Sequence, residues 1–113
     1  MARVELTEAI APGAKILRVD GEVDLSTSAP FRAAIDRLSR GGGGRLIVDL
    51  SRCTYIDSSG LATLLRGAGR TREFAIVAGD GAPREILEVT AIDQTVPVFE
   101  SVERARAAEL QAS

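Results

Sequence analysis

The chain reads as a single α/β domain over residues 1–113, with a mixed, mostly parallel sheet of about five strands and about four helices. Three observations predict this. Strand-length apolar runs alternate with segments of helical period in the order β-β-α-β-α-β-α-β-α, the pattern of parallel strands joined by crossover helices. The first two runs are separated only by "APG" at 11–13, a turn that suits an antiparallel hairpin. The length is that of one domain, without linker, repeat or low-complexity tail, and 45% hydrophobic residues suffice for a core. Only 4% of residues are aromatic, so Leu, Ile, Val and Ala must build that core.

Each element has its own signal. "VELTEAI" places Val4 and Leu6, and less regularly Ala9 and Ile10, on the first strand; "AKILRVD" supplies Ile16, Leu17 and Val19 to the second. After "GEVDL", Ser26, Thr27 or Ser28 can accept hydrogen bonds from the first helical N–H groups, and Pro30 falls within the first turn. Phe31, Ala34, Ile35 and Leu38 then recur at i, i+3, i+4 and i+7, an amphipathic helix that "GGGG" at 41–44 ends. "RLIVDL" is nearly continuous in apolar residues, as in a strand covered on both faces.

Leu61, Leu64, Leu65 and Ala68 mark a second helix, expected to fray at Gly67 and Gly69. "FAIVA" is another buried strand. A turn at "GDGAPR" then leads into a short helix that buries Ile86 and Leu87. "TVPVF" is a short strand that Pro97 confines to the sheet edge. "SVERARAAEL" closes the chain as a helix capped by Ser101, with Glu100 and Arg104 spaced for an ion pair.

Composition removes several classes of function. The formal net charge is −2 and aromatics are few, which argues against nucleic acid and anionic membrane as partners. No apolar run approaches the ~20 residues that span a bilayer, and the N-terminus has no signal-peptide core. With one Cys there is no internal disulfide, so the chain is expected to be cytoplasmic. There is no His, which excludes His-assisted nucleophiles and His-based zinc sites; no cofactor and no metal are expected, and an enzyme is the less favoured class.

Four stretches are weighed as sites. "GGGG" follows a helix instead of preceding one and lacks the Lys of a phosphate loop, so it reads as a helix stop. "GDGAPR" at 79–84 could offer N–H groups to an anion, but two glycines are a weak pattern. Cys53, just past a buried strand, reads as a small core filler with Arg52 pointing outward. Asp20, Glu22 and Asp24 have calcium-loop spacing without the rest of the loop, and read as an acidic turn or part of a binding surface.

"DSSG" at 57–60 is the sharpest of the candidates. Asp57 or Ser58 can cap the helix that follows, and Gly60 would let another chain approach the backbone closely. The stretch lies at the carboxyl edge of a parallel sheet, where open α/β sheets present their ligand surfaces.

The segments "GEVDLSTSAPFRAAI", "RLIVDLSRCTYIDSSGLATLL" and "FAIVAGDGAPREILEVTAIDQTVPVFESVERARAA" together resemble the STAS domain of bacterial anti-sigma factor antagonists, over almost the whole chain. The resemblance implies a protein-binding switch without catalysis. The unphosphorylated form would bind an anti-sigma factor that is also a serine kinase, releasing the sigma factor. Phosphorylation of the first serine of the motif, Ser58, would switch binding off, and a serine phosphatase would restore it. The partner-binding residues so implied are Asp24, Asp57, Ser58, Ser59 and Gly60; a monomer is the default expectation for a chain whose one busy surface is reserved for a partner. Two departures from the family pattern stand out: a second helix about one turn short, and Ala91 where a glycine is frequent. The competing expectations are a constitutive STAS adaptor of a stress-signalling or lipid-transport assembly, and, less favoured, a nucleotide hydrolase.

Overall fold

The computed structural model describes residues 1–40 and 44–109. Five strands, β1 (Val4–Ala11), β2 (Ala14–Val23), β3 (Arg45–Ile56), β4 (Phe74–Val77) and β5 (Val98–Phe99), lie side by side in chain order. The pair β1–β2 is antiparallel and the other three pairs are parallel, so the expected mixed sheet forms. Four helices accompany it: α1 (Ser28–Arg40), α2 (Ser58–Arg70), α3 (Ala82–Val89) and α4 (Val102–Ala107), with a single 3₁₀ turn at Ile92–Gln94.

The hairpin closes as the turn residues require. Pro12 and Gly13 are the two residues between Ala11 and Ala14, which pair, and Gly13 has φ +76°. A second constraint acts at Gly21, with φ +106°, where any Cβ would collide with the carbonyl oxygen of Arg3. That same carbonyl accepts from Glu22 N at 2.8 Å and binds the start of β1 to the end of β2.

Two cores flank the sheet. Helices α1, α2 and α3 bury Phe31, Ile35, Leu61, Leu64 and Leu87 against Leu17, Val19, Leu46, Val48 and Ile76 on one face. On the other face Ala105 of α4 packs with Ala14, Ile47, Ala75 and Val77. Leu46 to Leu50 are all buried, as a strand covered on both faces demands. β5 pairs only with β4, and Pro97 directly precedes it, its carbonyl accepting from Ile76 N at 2.9 Å.

Four expectations need correction. β3 does not stop after "RLIVDL" but runs on to Ile56, so Cys53 lies inside the strand. Two irregularities in the β2–β3 ladder, between Arg18 and Asp20 and between Gly21 and Glu22, each give β3 one extra residue. Core contacts then fall at Leu50, Cys53 and Ile56, a spacing of three that hides the strand's period of two. Second, α2 does not fray at its glycines: it continues to Arg70, and Gly67 is buried where a Cβ would sit 2.9 Å from both Ile35 and Phe74 side chains. Third, Glu100 and Arg104 form no ion pair, because Glu100 lies ahead of the cap, outside α4. Fourth, that helix ends at Ala107, short of the expected span. Gly41–Gly43 of "GGGG" and Leu110 of the last helical segment lie outside the described residues.

Candidate functional site

The site is built by strand register. Val23 and Ile56 are the last paired residues of the parallel strands β2 and β3, so Asp24 and Asp57 leave the sheet side by side at its carboxyl edge. The bond from Asp57 N to the carbonyl of Val23, 3.0 Å, fixes their relation. Each carboxylate then folds its own loop. Asp57 Oδ1 accepts from Ser59 N at 2.9 Å, Ser59 Oγ at 2.5 Å and Gly60 N at 3.3 Å, which makes Asp57 the N-cap of α2. Asp24 Oδ1 accepts from Ser26 N at 2.8 Å, Ser26 Oγ at 2.6 Å and Thr27 N at 3.2 Å.

The two loops are therefore copies of one motif, Asp-x-Ser, with x turned outward. In the first copy x is Leu25, 82% exposed; in the second it is Ser58, also exposed. The hydroxyl of Ser58 makes no hydrogen bond to any described residue, whereas that of Ser59 is held by Asp57. Between the two serines of "DSSG", only the first has a hydroxyl whose hydrogen is not already donated within the described residues. The cap left open between Asp57 and Ser58 belongs to Asp57, and Ser58 is the first residue of the helix proper.

Both carboxyls are held below the usual Asp range. For Asp57 the main cause is the hydrogen bond from Ser59 Oγ, opposed by desolvation and by the nearby charge of Asp24, and helped by the N–H groups of Gly60 and Ser59. For Asp24 the main cause is the corresponding bond from Ser26 Oγ. Two anions thus stand beside Ser58 at neutral pH.

Gly60 is buried, and the close approach it permits comes from within. A Cβ there would run into Ile56 Cγ1 and lie 2.8 Å from Val23 Cγ1. It seats the start of α2 on the ends of β2 and β3 instead of admitting another chain to the backbone. Of the expected surface, Asp24, Asp57, Ser58 and Ser59 come together at one edge, and Gly60 supports them from below. Sequence reasoning did not single out Leu25, the exposed middle residue of the first copy. The repeated Asp-x-Ser spacing was the available signal, and it was obscured because only the second copy opens directly into a helix.

The remaining candidates take structural places. Cys53 is a core residue, 5% exposed, its thiol pushed up by burial and donating to the Tyr55 carbonyl at 3.2 Å. "GDGAPR" borders a cavity of about 360 Å³ beside the second half of β3 and just past β4, whose charged lining residues are Asp80 and Glu100, a poor match for an anion. Asp20 pairs with Arg18 at 3.5 Å and does not join Asp24. Among the described residues no three His, Cys, Asp or Glu side chains are grouped as metal ligands, and no helix is long and apolar enough to cross a membrane.

Fold and site together define an STAS-type domain, in which a parallel sheet edge offers a serine at a helix start. The family model for the Mlab, STAS domain matches residues 6–100, and the chain belongs to that family. Among curated proteins it is similar to the anti-sigma-F factor antagonist RsfB of Mycobacterium tuberculosis, 28% identical over 102 residues, covering 88% of this chain and 84% of the relative. Its fold is similar to that of an anti-sigma factor antagonist from Mycobacterium paratuberculosis, with TM-score 0.88, 24% identity and 91% of each chain covered. It is also similar to the Bacillus cell fate determinant SpoIIAA in its phosphorylated form, with TM-score 0.63 and 18% identity, covering 91% of this chain and 96% of that one.

Proposed function

We propose that this protein is an anti-sigma factor antagonist whose partner binding is switched by phosphorylation of Ser58. The observation that carries the proposal is the contrast between the neighbouring hydroxyls: Ser58 is exposed and unbonded, while Ser59 is bound to the capping carboxylate. The names of the relatives support the antagonist role, and a phosphorylated form of SpoIIAA, whose fold is similar, supports the switch. The partner in this reading is an anti-sigma factor with serine kinase activity, and a serine phosphatase resets the switch.

The electrostatics make such a switch local. A phosphate on Ser58 adds about −1.5 to −2 charges. At the first position of α2 the helix N-terminus accommodates part of that charge, so the domain keeps its fold. The complex does not. A surface already carrying Asp24 and Asp57 becomes much more anionic, and docking would have to desolvate the phosphate among them. A change of about 1.4 kcal/mol in binding is tenfold in dissociation constant, so a few such units suffice.

The test is calorimetry of the anti-sigma factor with wild-type protein, Ser58→Ala and Ser58→Asp. Ser58→Ala should bind like the wild type and Ser58→Asp at least tenfold more weakly, with unchanged circular dichroism. Equal affinity of all three would refute the switch.

A further inference from the structure

Ser58 begins a stripe along α2 that continues through Ala62 to Arg66 and Arg70, each one turn further on. Ala62 and Leu65 on this face are exposed, Leu65 at 44%. The far end meets α1. There Asp36 Oδ1 accepts from Arg66 Nε at 2.8 Å and Arg70 Nη1 at 3.2 Å. Arg32, one turn earlier on α1, adds its field to the same carboxylate. Two guanidinium groups bond this one carboxylate and Arg32 acts on it without direct contact, three positive charges against one negative. Other arginines differ: Arg37 on α1 is matched by Glu8 at 2.6 Å and Arg45, at the start of β3, by Glu73 at 2.9 Å. The exposed face of α2 thus runs from an acidic start through a small apolar middle to a cationic end.

The geometry points to Arg32, Arg66 and Arg70 as a docking foot for acidic side chains of the same protein partner that covers Ser58. The inference rests on the reading of the Ser58 edge as a partner surface. Distance makes the connection. Arg66 lies about 12 Å and Arg70 about 18 Å along the helix from Ser58, whereas a standard interface covers a patch about 30 Å across. A partner centred on Ser58 reaches Arg66, and one whose footprint is shifted a few ångströms along α2 covers Arg70 as well; its matching surface must be basic opposite Asp24 and Asp57 and acidic opposite the arginines. Such complementarity speeds encounter and rejects partners of the wrong pattern.

Two measurements test it. Isotope-labelled protein titrated with an oligoglutamate peptide should show saturable shifts confined to the residues around Arg32, Arg66 and Arg70, lost in the double variant Arg32→Ala/Arg70→Ala. Shifts spread over all the arginine-bearing faces, or tighter binding of a DNA oligonucleotide or of phosphatidylglycerol vesicles at the foot, would overturn it. With the anti-sigma factor, Arg32→Glu/Arg70→Glu should slow association about tenfold at low salt, and the difference should shrink at about 0.5 M salt. Arg104→Glu, on α4 across the sheet, should change nothing. If Ser58→Asp weakens binding but the arginine variant does not, the foot is wrong and the switch stands. If the arginine variant weakens it and Ser58→Asp does not, the reverse holds. Should the wild type bind no anti-sigma factor, the peptide titration alone decides.

Discussion

Ser59 donates its hydroxyl hydrogen to Asp57 Oδ1 at 2.5 Å, and this one bond separates the roles of two adjacent serines. It completes the N-cap of α2 and leaves Ser58 as the residue whose hydroxyl faces outward unbonded.

Loss of the cap should destabilise the domain without dismantling the sheet. Asp57→Ala is expected to cost about 1 kcal/mol in denaturant unfolding, and Asp57→Asn less, because an amide oxygen still accepts from the same N–H groups. The carboxyl of Asp57 is held below its ordinary value, so the native state binds fewer protons than the unfolded chain. Its stabilisation is complete above the ordinary Asp value of about 3.9 and is lost as pH falls through and below it. Unfolding free energy should therefore decline below about pH 4, with a shallower slope in Asp57→Asn. An unchanged slope would contradict the cap's electrostatic share.

Gly60→Ala places a methyl group against Ile56 and Val23. Overpacking of this kind costs about 1–3 kcal/mol, and Ile56→Val in the same chain should recover part of it. The check is a pair of urea midpoints for the single and double variants; an additive loss would mean that the methyl group meets something else.

Ala91 has φ +60°, the left-handed region, and is exposed. The glycine that the family resemblance led one to expect is absent at a position whose backbone favours one. Ala91→Gly should therefore raise stability by about 0.5–1 kcal/mol, opposite to the usual sign for Ala to Gly. A lower melting temperature would contradict the assigned conformation.

Leu25 is exposed at 82% beside Ser58 and lies outside both core clusters. Leu25→Ser should leave the thermal midpoint unchanged and weaken anti-sigma factor binding by roughly tenfold, the loss of one buried apolar contact. Unaltered affinity would remove Leu25 from the surface.

The element order was legible because strand and helix periods are clean in "RLIVDL", "FAIVA" and the α1 segment. The second half of β3 was not, since its ladder irregularities turn core positions into every third residue. "DSSG" stood out as a strand-to-helix junction, but sequence could not divide labour between Ser58 and Ser59. That depends on which N–H and O–H groups Asp57 reaches. The Asp-x-Ser spacing repeats at Asp24, but that the two motifs become neighbours follows only from the Val23–Ile56 register. Gly60 was read as open to another chain and Gly67 as a fraying point, and both are points of tight packing.

The central claim is that Ser58, and not Ser59, receives the phosphate. The most direct measurement is site mapping by mass spectrometry after incubation with the anti-sigma factor kinase and ATP, for wild type, Ser58→Ala and Ser59→Ala. The account predicts phosphate on Ser58 in the wild type, none in Ser58→Ala, and retained labelling of Ser58 in Ser59→Ala. Phosphate on Ser59, or full labelling of Ser58→Ala, would contradict it.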